Sequence, residues 1–462
     1  MRHVRISFVV VAFLALSARA EEPRLSADQR LARDIYKELI EINTTHSTGS
    51  TTKAAAAMAK RLAAAGFPAK DLHLLGPTPS KQGLVARLRG GHDHAPLLLL
   101  AHLDVVEAKR EDWSMDPFTL SEQDGYFYGR GTLDDKAMAA IYVANLVRMK
   151  HEGLKPNRNI ILALTADEEG GPDNGVAWLL AHHRDLVDAA LVINEGGGGR
   201  IRNGKYLSNG VQAGEKTYTN FLLEVRNKGG HSSLPTKDNA IYRLAAALDR
   251  LAQYEFPIEL NEITRIYFAR SAALEDGQIA ADMTAVLQDP PDPAAAARLA
   301  QTPTFNALLR TTCVPTRLDG GHADNALPQS ARANINCRIM PGHGTDEIRA
   351  TLVQVLADEQ ISVTETEPAT AAPASPLDAA LLQPVERITE EMWPGTPAIP
   401  TMSTGASDSR YFRNAGIPAY GVSGIFVDMD DIRAHGKDER LGVKQFFEGQ
   451  EFLYRLVLAL TT

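Results

Sequence analysis

The stretch "NIILALTADEEGGPDNG", Asn159 to Gly175, decides the fold. Ile160 to Leu164 is a short apolar run, the form a parallel strand takes when both its faces are buried. It empties into three consecutive acids, Asp167, Glu168 and Glu169, and then into glycines. Like charges crowded together repel, and taken alone such a run is a solvated loop with a charged tip. The alternative needs other strands to bring acids and histidines to the same place.

Working outward, the flanking chain alternates strands and helices. "GLVARL", "PLLLLAHLDVV" and "AALVINEG" are strand-like, while "KAMAAIYVANLVRMKHEG" and "NGVAWLLAHH" are helical. Upstream, the helix "SADQRLARDIYKELIEI" opens on a serine cap, and "TTKAAAAMAKRLAAAG" closes on Gly66. Strand, helix, strand predicts an α/β fold with a mostly parallel sheet covered on both faces. Near Glu215 the rhythm changes. "YTNFLLEVRN" alternates like a sheet with one open face, and the following segments run β-α-β-β-α-β. That order predicts an inserted ferredoxin-like α+β lid or dimerisation domain over 216–368, itself carrying a helical insertion at 257–309. The sheet domain then comprises 21–215 and 369–462.

In an open parallel sheet, ligands bind beyond the carboxyl ends of the strands. "PLLLLAHLDVV" delivers His102 and Asp104 there, two apart and so on one side of an extended chain. "NIILALTADEE" delivers Glu168 and Glu169, "AALVINEGGGG" delivers Glu195, and "YGRGTLDDK" sets Asp134 and Asp135 in a glycine-rich turn before a helix. Carboxylates forced together take up protons or find cations. Imidazole with carboxylate suits zinc. The acids are too many for one tetrahedral ion and suit two ions, about 3.5–4 Å apart, that share a bridging carboxylate.

The segments "AHLDVV", "YGRGTLDDK", "TADEEGG", "NEGG", "GGHSSLPTKDNAI", "DNALPQSARANINCRIMPG" and "AHGKDE" resemble, in order, those of the dinuclear zinc exopeptidases and deacylases. That family includes glutamate carboxypeptidase, acetylornithine deacetylase, succinyl-diaminopimelate desuccinylase, carboxypeptidase S and related dipeptidases. The resemblance covers nearly the whole chain after residue 20. It implies that His102, Asp134 and Glu195 hold one zinc ion and that Glu169, Asp134 and His435 hold the other. It implies Asp104 behind His102, orienting the imidazole. Glu168 is implied as the general base that passes a proton from the attacking water to the departing nitrogen. The peptide bond after the bridging aspartate, here Asp134–Asp135, is commonly cis in the family. His231, often from a partner subunit, is implied as the oxyanion stabiliser. Asn325 and Arg338 are implied as holders of the substrate carbonyl and its free carboxylate, with Asn239 and Gly405 in the pocket wall. Ligand type leaves cobalt and manganese open beside zinc. A homodimer through the smaller domain and a monomer with a closing lid both stay open.

With 462 residues, 44% hydrophobic and 23% charged, the composition is that of a globular chain of two or more domains. Residues 1–20 read as a cleaved signal peptide: basic "MRHVR", apolar "ISFVVVAFLALS", then the cleavage motif Ala18-Arg19-Ala20. The expected mature chain is periplasmic or secreted, with no membrane segment. Losing Arg2, Arg5 and Arg19 takes the formal net charge from −9 to −12. An acidic surface without a basic stripe excludes nucleic acid as a partner. Cys313 and Cys337 fall on neighbouring predicted strands, as a disulfide or as two buried thiols.

The expected function is a metal-dependent hydrolase that cleaves an amide beside a free carboxylate in a small substrate. It acts as a dipeptidase or carboxypeptidase, or else as an N-acyl-amino-acid deacylase. Two other classes compete. An exported zinc-binding protein without turnover would lack ligands or the base, and here every such position is filled. A metal-dependent phosphoesterase would crowd cations around the acids, and in sequence only Arg130, Lys136 and Arg200 stand near them.

Overall fold

The computed structural model describes residues 25–91 and 94–462, so the signal-peptide expectation lies outside the described residues. A ten-stranded sheet runs through the larger unit. Its neighbouring strands Arg158–Thr165, His94–His102, Leu191–Asn194 and Ala419–Gly421 are parallel. Gly83–Leu88 and Leu72–Leu75 extend one side antiparallel. Lys205–Glu215, Gly198–Arg202 and Phe426–Asp428 extend the other, and Ala398–Ser403 lies parallel to Lys205–Glu215.

Alternate residues of the central strands serve two cores. Leu97, Leu99 and Ala101 pack with Ile160, Leu162 and Leu164 against helices that include Ala27–Glu41, Lys136–His151 and Val443–Thr461. Leu98, Leu100, Ile161 and Ala163 face the other way, toward Val176, Leu179 and Phe412 of helices Gly175–His182 and Ser409–Asn414. Burial on both faces is why these strands read as continuous apolar runs rather than alternating ones. Among the described residues no helix is long and apolar enough to cross a membrane.

The smaller unit is a four-stranded antiparallel sheet ordered Thr312–Gly320, Ser330–Ile339, Thr217–Arg226, Ile361–Glu365. Helices Ala240–Gln253 and Thr345–Leu356 cover one face, over Phe221, Leu223, Val225, Ala333 and Ile335. This is the ferredoxin-like order. Cys313 and Cys337 oppose each other on adjacent strands and are disulfide-bonded.

The placement of the 257–309 insertion differs from the sequence expectation. Its helices, Glu262–Ala272 through Pro303–Leu309, put Ile263, Tyr267, Phe268, Met283 and Leu309 into the core of the larger unit. The helix-bearing face of the small sheet is already filled, whereas strand Ala398–Ser403 needs cover, and Glu262–Ala272 supplies it. Arg270 fixes that contact, donating to the Ala398 carbonyl at 2.6 Å and to Glu386 at 2.7 Å. Lys216 sits where the chain first crosses between units. It is buried, and its ammonium donates to the carbonyls of Ala307 and Arg310 at 2.9 and 2.7 Å. Burial, and then Arg338, lower its pKa to about 7.

Candidate metal centre and substrate cleft

His102 ends strand His94–His102, Glu168 and Glu169 follow Arg158–Thr165, and Glu195 follows Leu191–Asn194. These strands are parallel neighbours, so their carboxyl ends open on one rim. Asp134 comes from the turn before helix Lys136–His151, and His435 from the loop ahead of strand Arg440–Gly442. His102 Nε2 lies 3.0 Å from Asp134 Oδ1 and 4.0 Å from Glu195 Oε2. His435 Nε2 lies 2.9 Å from Glu169 Oε1 and 3.2 Å from Asp134 Oδ2. Two groups that could each hold a metal ion form, His102–Asp134–Glu195 and Asp134–Glu169–His435, and Asp134 joins them with one oxygen toward each histidine. The Asp134–Asp135 peptide is cis.

The imidazole of His102 is set mainly by backbone. Its Nδ1 lies 3.0 Å from the Asp104 carbonyl and 3.6 Å from the Asp104 carboxylate. With Nδ1–H donated there, Nε2 keeps its lone pair toward Asp134. The Asp104 carboxylate instead accepts the Glu169 N–H at 3.0 Å, which ties two strand ends together. Asp167, first of the three consecutive acids, is withdrawn from the rim. It is buried at φ 58°, in the left-handed region, and its carboxylate holds the Lys81 ammonium at 2.7 Å. That turn sends Glu168 and Glu169 forward.

Burial first, and Asp408 second, push Glu168 well above the usual carboxylate range. Burial and then Glu168 do the same to Glu195. Burial also raises Asp135, and lifts Asp408 to about 6. Hydrogen bonds to Asp134 and then Glu169 raise His435 to about 10. Asp104 Oδ1, Asp135 Oδ2 and Asp408 Oδ2 are buried without a hydrogen-bond partner. Crowded carboxylates with orphaned oxygens call for cations, and mixed imidazole–carboxylate donor sets suit divalent transition metals. The residues fit two such ions.

The model of peptidase family M20/M25/M40 matches residues 98–459. The chain belongs to that family. This M20 peptidase is 31% identical to the human N-fatty-acyl-amino acid synthase/hydrolase over 373 residues, 78% of this chain and 73% of that protein. Its fold is similar to an M20 metallo-carboxypeptidase of Sulfolobus solfataricus, with a TM-score of 0.70 at 18% identity, covering 93% of this chain and 98% of the other. A dinuclear metal-binding M20 peptidase of Bacillus subtilis gives a TM-score of 0.60 at 11% identity, covering 94% and 99%. The protein is a metal-dependent hydrolase built on the mainly parallel α/β fold of its family.

In the M20 peptidase a cleft of about 650 Å³ includes Glu168, Glu169 and His435 in its lining. The smaller unit contributes Tyr218, Asn220 and Arg338, and the larger contributes Gly405, Ala406 and Arg410. The Arg338 guanidinium stacks over the Tyr218 ring at 4.6 Å, and its Nε donates to Asn336 at 3.4 Å. The three cations that stand near the acids in sequence are used elsewhere. Arg130 pairs with Glu439, Lys136 donates to the carbonyls of Leu39 and Ile42, and Arg200 reaches the Tyr267 hydroxyl.

Three residues expected at the substrate lie outside this cleft. His231 and Asn325 sit together on an exposed corner of the smaller unit, where His231 pairs with Ala326 and the Ser232 N–H donates to the Asn325 carbonyl at 3.0 Å. Asn239 begins the helix beside that corner. Its Oδ1 caps helix Ala240–Gln253 by accepting the N–H groups of Ile241 and Tyr242. An asparagine just ahead of an amphipathic helix is the signal for that role.

Proton competition gives a first prediction. In the metal-free protein His435 keeps its proton until about pH 10, so an incoming ion must displace it. The affinity of the group that contains His435 is therefore expected to rise about tenfold per pH unit between about pH 6.5 and 8.5. Cobalt(II) titration across that range measures it, and a flat profile contradicts the ligand assignment.

Proposed function

We propose that this peptidase is an exported zinc exopeptidase that cleaves the amide beside the free carboxylate of a dipeptide or short peptide. The observation that carries this reading is Arg338. Its guanidinium makes no ion pair among the described residues, stacks on Tyr218, and lines the same cleft as Glu168, Glu169 and His435. A planar guanidinium of this kind takes a carboxylate bidentately.

In this reading His102, Asp134 and Glu195 hold one zinc ion and Glu169, Asp134 and His435 hold the second. When bound, the ions polarise the scissile carbonyl and acidify the attacking water. Glu168 takes the water's proton and returns it to the departing nitrogen. Arg338 fixes the free carboxylate, and Gly405 leaves the adjoining wall without a side chain. His231 and Asn325 act on the carbonyl oxygen of a second copy's substrate, within a homodimer formed through the smaller unit. Support for that assembly comes from the exposed edge strand Thr312–Gly320, with Leu318 70% exposed. Beside it an apolar groove of about 330 Å³ is lined by Ile241, Leu244, Leu248 and Leu318. Export to a periplasm or beyond the cell is supported by residues 1–20 and by the Cys313–Cys337 disulfide, which suits an oxidising compartment.

The likeness to the human N-fatty-acyl-amino acid synthase/hydrolase favours a second reading, an N-acyl-amino-acid deacylase, which uses the same residues on a different acyl group. One panel tests both: dipeptides, N-acetyl amino acids and long-chain N-acyl amino acids, each with free and blocked carboxyl. Replacing Arg338 by Ala is expected to lower kcat/KM about 10–100-fold on free-carboxylate substrates, chiefly through KM, and to leave blocked ones unchanged. Equal losses on both sets would sink the carboxylate clamp. The ranking of peptides against long-chain acyl substrates decides between exopeptidase and deacylase.

A further inference from the structure

Two ligand loops far apart in sequence meet on one buried carboxylate that belongs to neither ligand group. Glu439 is fully buried, and its Oε1 accepts the N–H groups of Leu133 and Asp134 at 2.7 and 3.1 Å. Its Oε2 accepts the Gly131 N–H at 3.1 Å and Arg130 Nη1 at 2.6 Å. The turn that ends in the shared ligand Asp134 is thus wrapped around a single side chain. Glu439 also belongs to the loop that carries His435. Arg130, likewise buried, reaches back into that loop: its Nη2 donates to the carbonyls of Gly436 at 3.0 Å and His435 at 3.3 Å. His435 and Asp438 both sit in the left-handed region, at φ 62° and 52°, which non-glycine residues rarely adopt. Such a loop needs outside support, and Arg130 supplies it.

A buried ion pair is a poor source of net stability, because desolvation offsets most of the attraction. What this pair does instead is bind backbone that carries ligands. We propose that Arg130 and Glu439 are the positioning pair of the metal centre, setting Asp134 against His435 where the two ions would be held. The proposal rests on the two-ion reading of the site. Neither residue lines the substrate cleft, so both act through the ligands. Glu439→Gln keeps the shape but turns one acceptor into an NH2 donor. Whichever way the amide turns, it faces N–H donors on one side and loses those bonds.

The test uses the full chain, stripped of metal and titrated with cobalt(II), with visible absorption and calorimetry as readouts. Wild type is expected to take up two equivalents. Glu439→Gln is expected to bind both with about 10–100-fold lower affinity and an altered cobalt spectrum. Its KM for a free-carboxylate substrate stays at the wild-type value once metal is saturating. Arg130→Lys keeps the charge but not the two-carbonyl reach, and is expected to weaken the site containing His435 more than the other. A control for lost stability is Asp282→Asn, which breaks the Arg298–Asp282 pair (2.6 Å) in the helical insertion. It lowers the unfolding temperature and leaves cobalt affinity alone. Wild-type uptake of fewer than two equivalents overturns the two-ion reading and this inference with it. Two equivalents in wild type, with unchanged affinity in both Glu439→Gln and Arg130→Lys, overturns the inference alone. Should Glu439→Gln not fold, Arg130→Lys decides.

Discussion

Replacing Glu168 by Gln is expected to lower kcat by about 10²–10⁴-fold while both metal sites fill as in wild type. Glu168 belongs to neither ligand group, although its neighbour Glu169 does, and it lines the cleft. Its surroundings are built to hold it. The turn at Asp167 is anchored by Lys81, and Asn174 spans the loop by donating to the Asp167 carbonyl at 3.1 Å and to Asp408 at 2.7 Å. Burial and the nearby Asp408 raise the pKa of Glu168, which makes its carboxylate a stronger base than a solvated one. The sign for pH follows. The working form is the deprotonated one, so the acid limb of the rate profile belongs to Glu168, and the Gln variant loses that limb. A variant that keeps kcat within about threefold, or that loses metal in step with activity, would contradict the assignment of a base that is not a ligand.

Asp134→Asn is expected to have the next largest effect. The two Asp134 oxygens face separate histidines at 3.0 and 3.2 Å, so an amide satisfies one and presents N–H to the other. Both ions are expected to leave, and kcat/KM to fall with them, whereas His435→Ala leaves the His102 site filled. Metal per chain, measured after gel filtration in metal-free buffer, checks this. Asp134→Asn retaining two ions would remove the bridge from the account.

The clustering of the candidate ligands was legible because the chemistry is local to strand ends. His102, Glu169 and Glu195 each follow an apolar run whose parallel pairing the sequence pattern predicts, and parallel neighbours share a rim. His435 was legible only through the order of motifs, since its own loop is a plain acidic stretch. What stayed hidden was pairing across sequence. Nothing in "YGRGTLDDK" says that Arg130 will meet Glu439, some 309 residues on, because burial of a charged pair leaves no periodic trace. Nothing in the sequence assigned Asp167 of "ADEE" a role, and it turns inward to Lys81, a partner 86 residues upstream. Which core the 257–309 helices join was hidden for a similar reason. Amphipathic helices announce that they must be covered, not which sheet will do it. The capping role of Asn239 Oδ1 was a local signal that the sequence reading did not use.

The central claim is that two ions held around Asp134 and the base Glu168 together hydrolyse an amide beside a free carboxylate. The most direct measurement titrates metal-stripped protein with zinc while following hydrolysis of a dipeptide, an N-acyl amino acid and their carboxyl-blocked forms, with a phosphate ester as control. The account predicts cleavage of the free-carboxylate amides that rises until two equivalents are bound and is absent in Glu168→Gln at the same occupancy. Two equivalents bound with no amide cleaved, or cleavage of the phosphate ester alone, would contradict it.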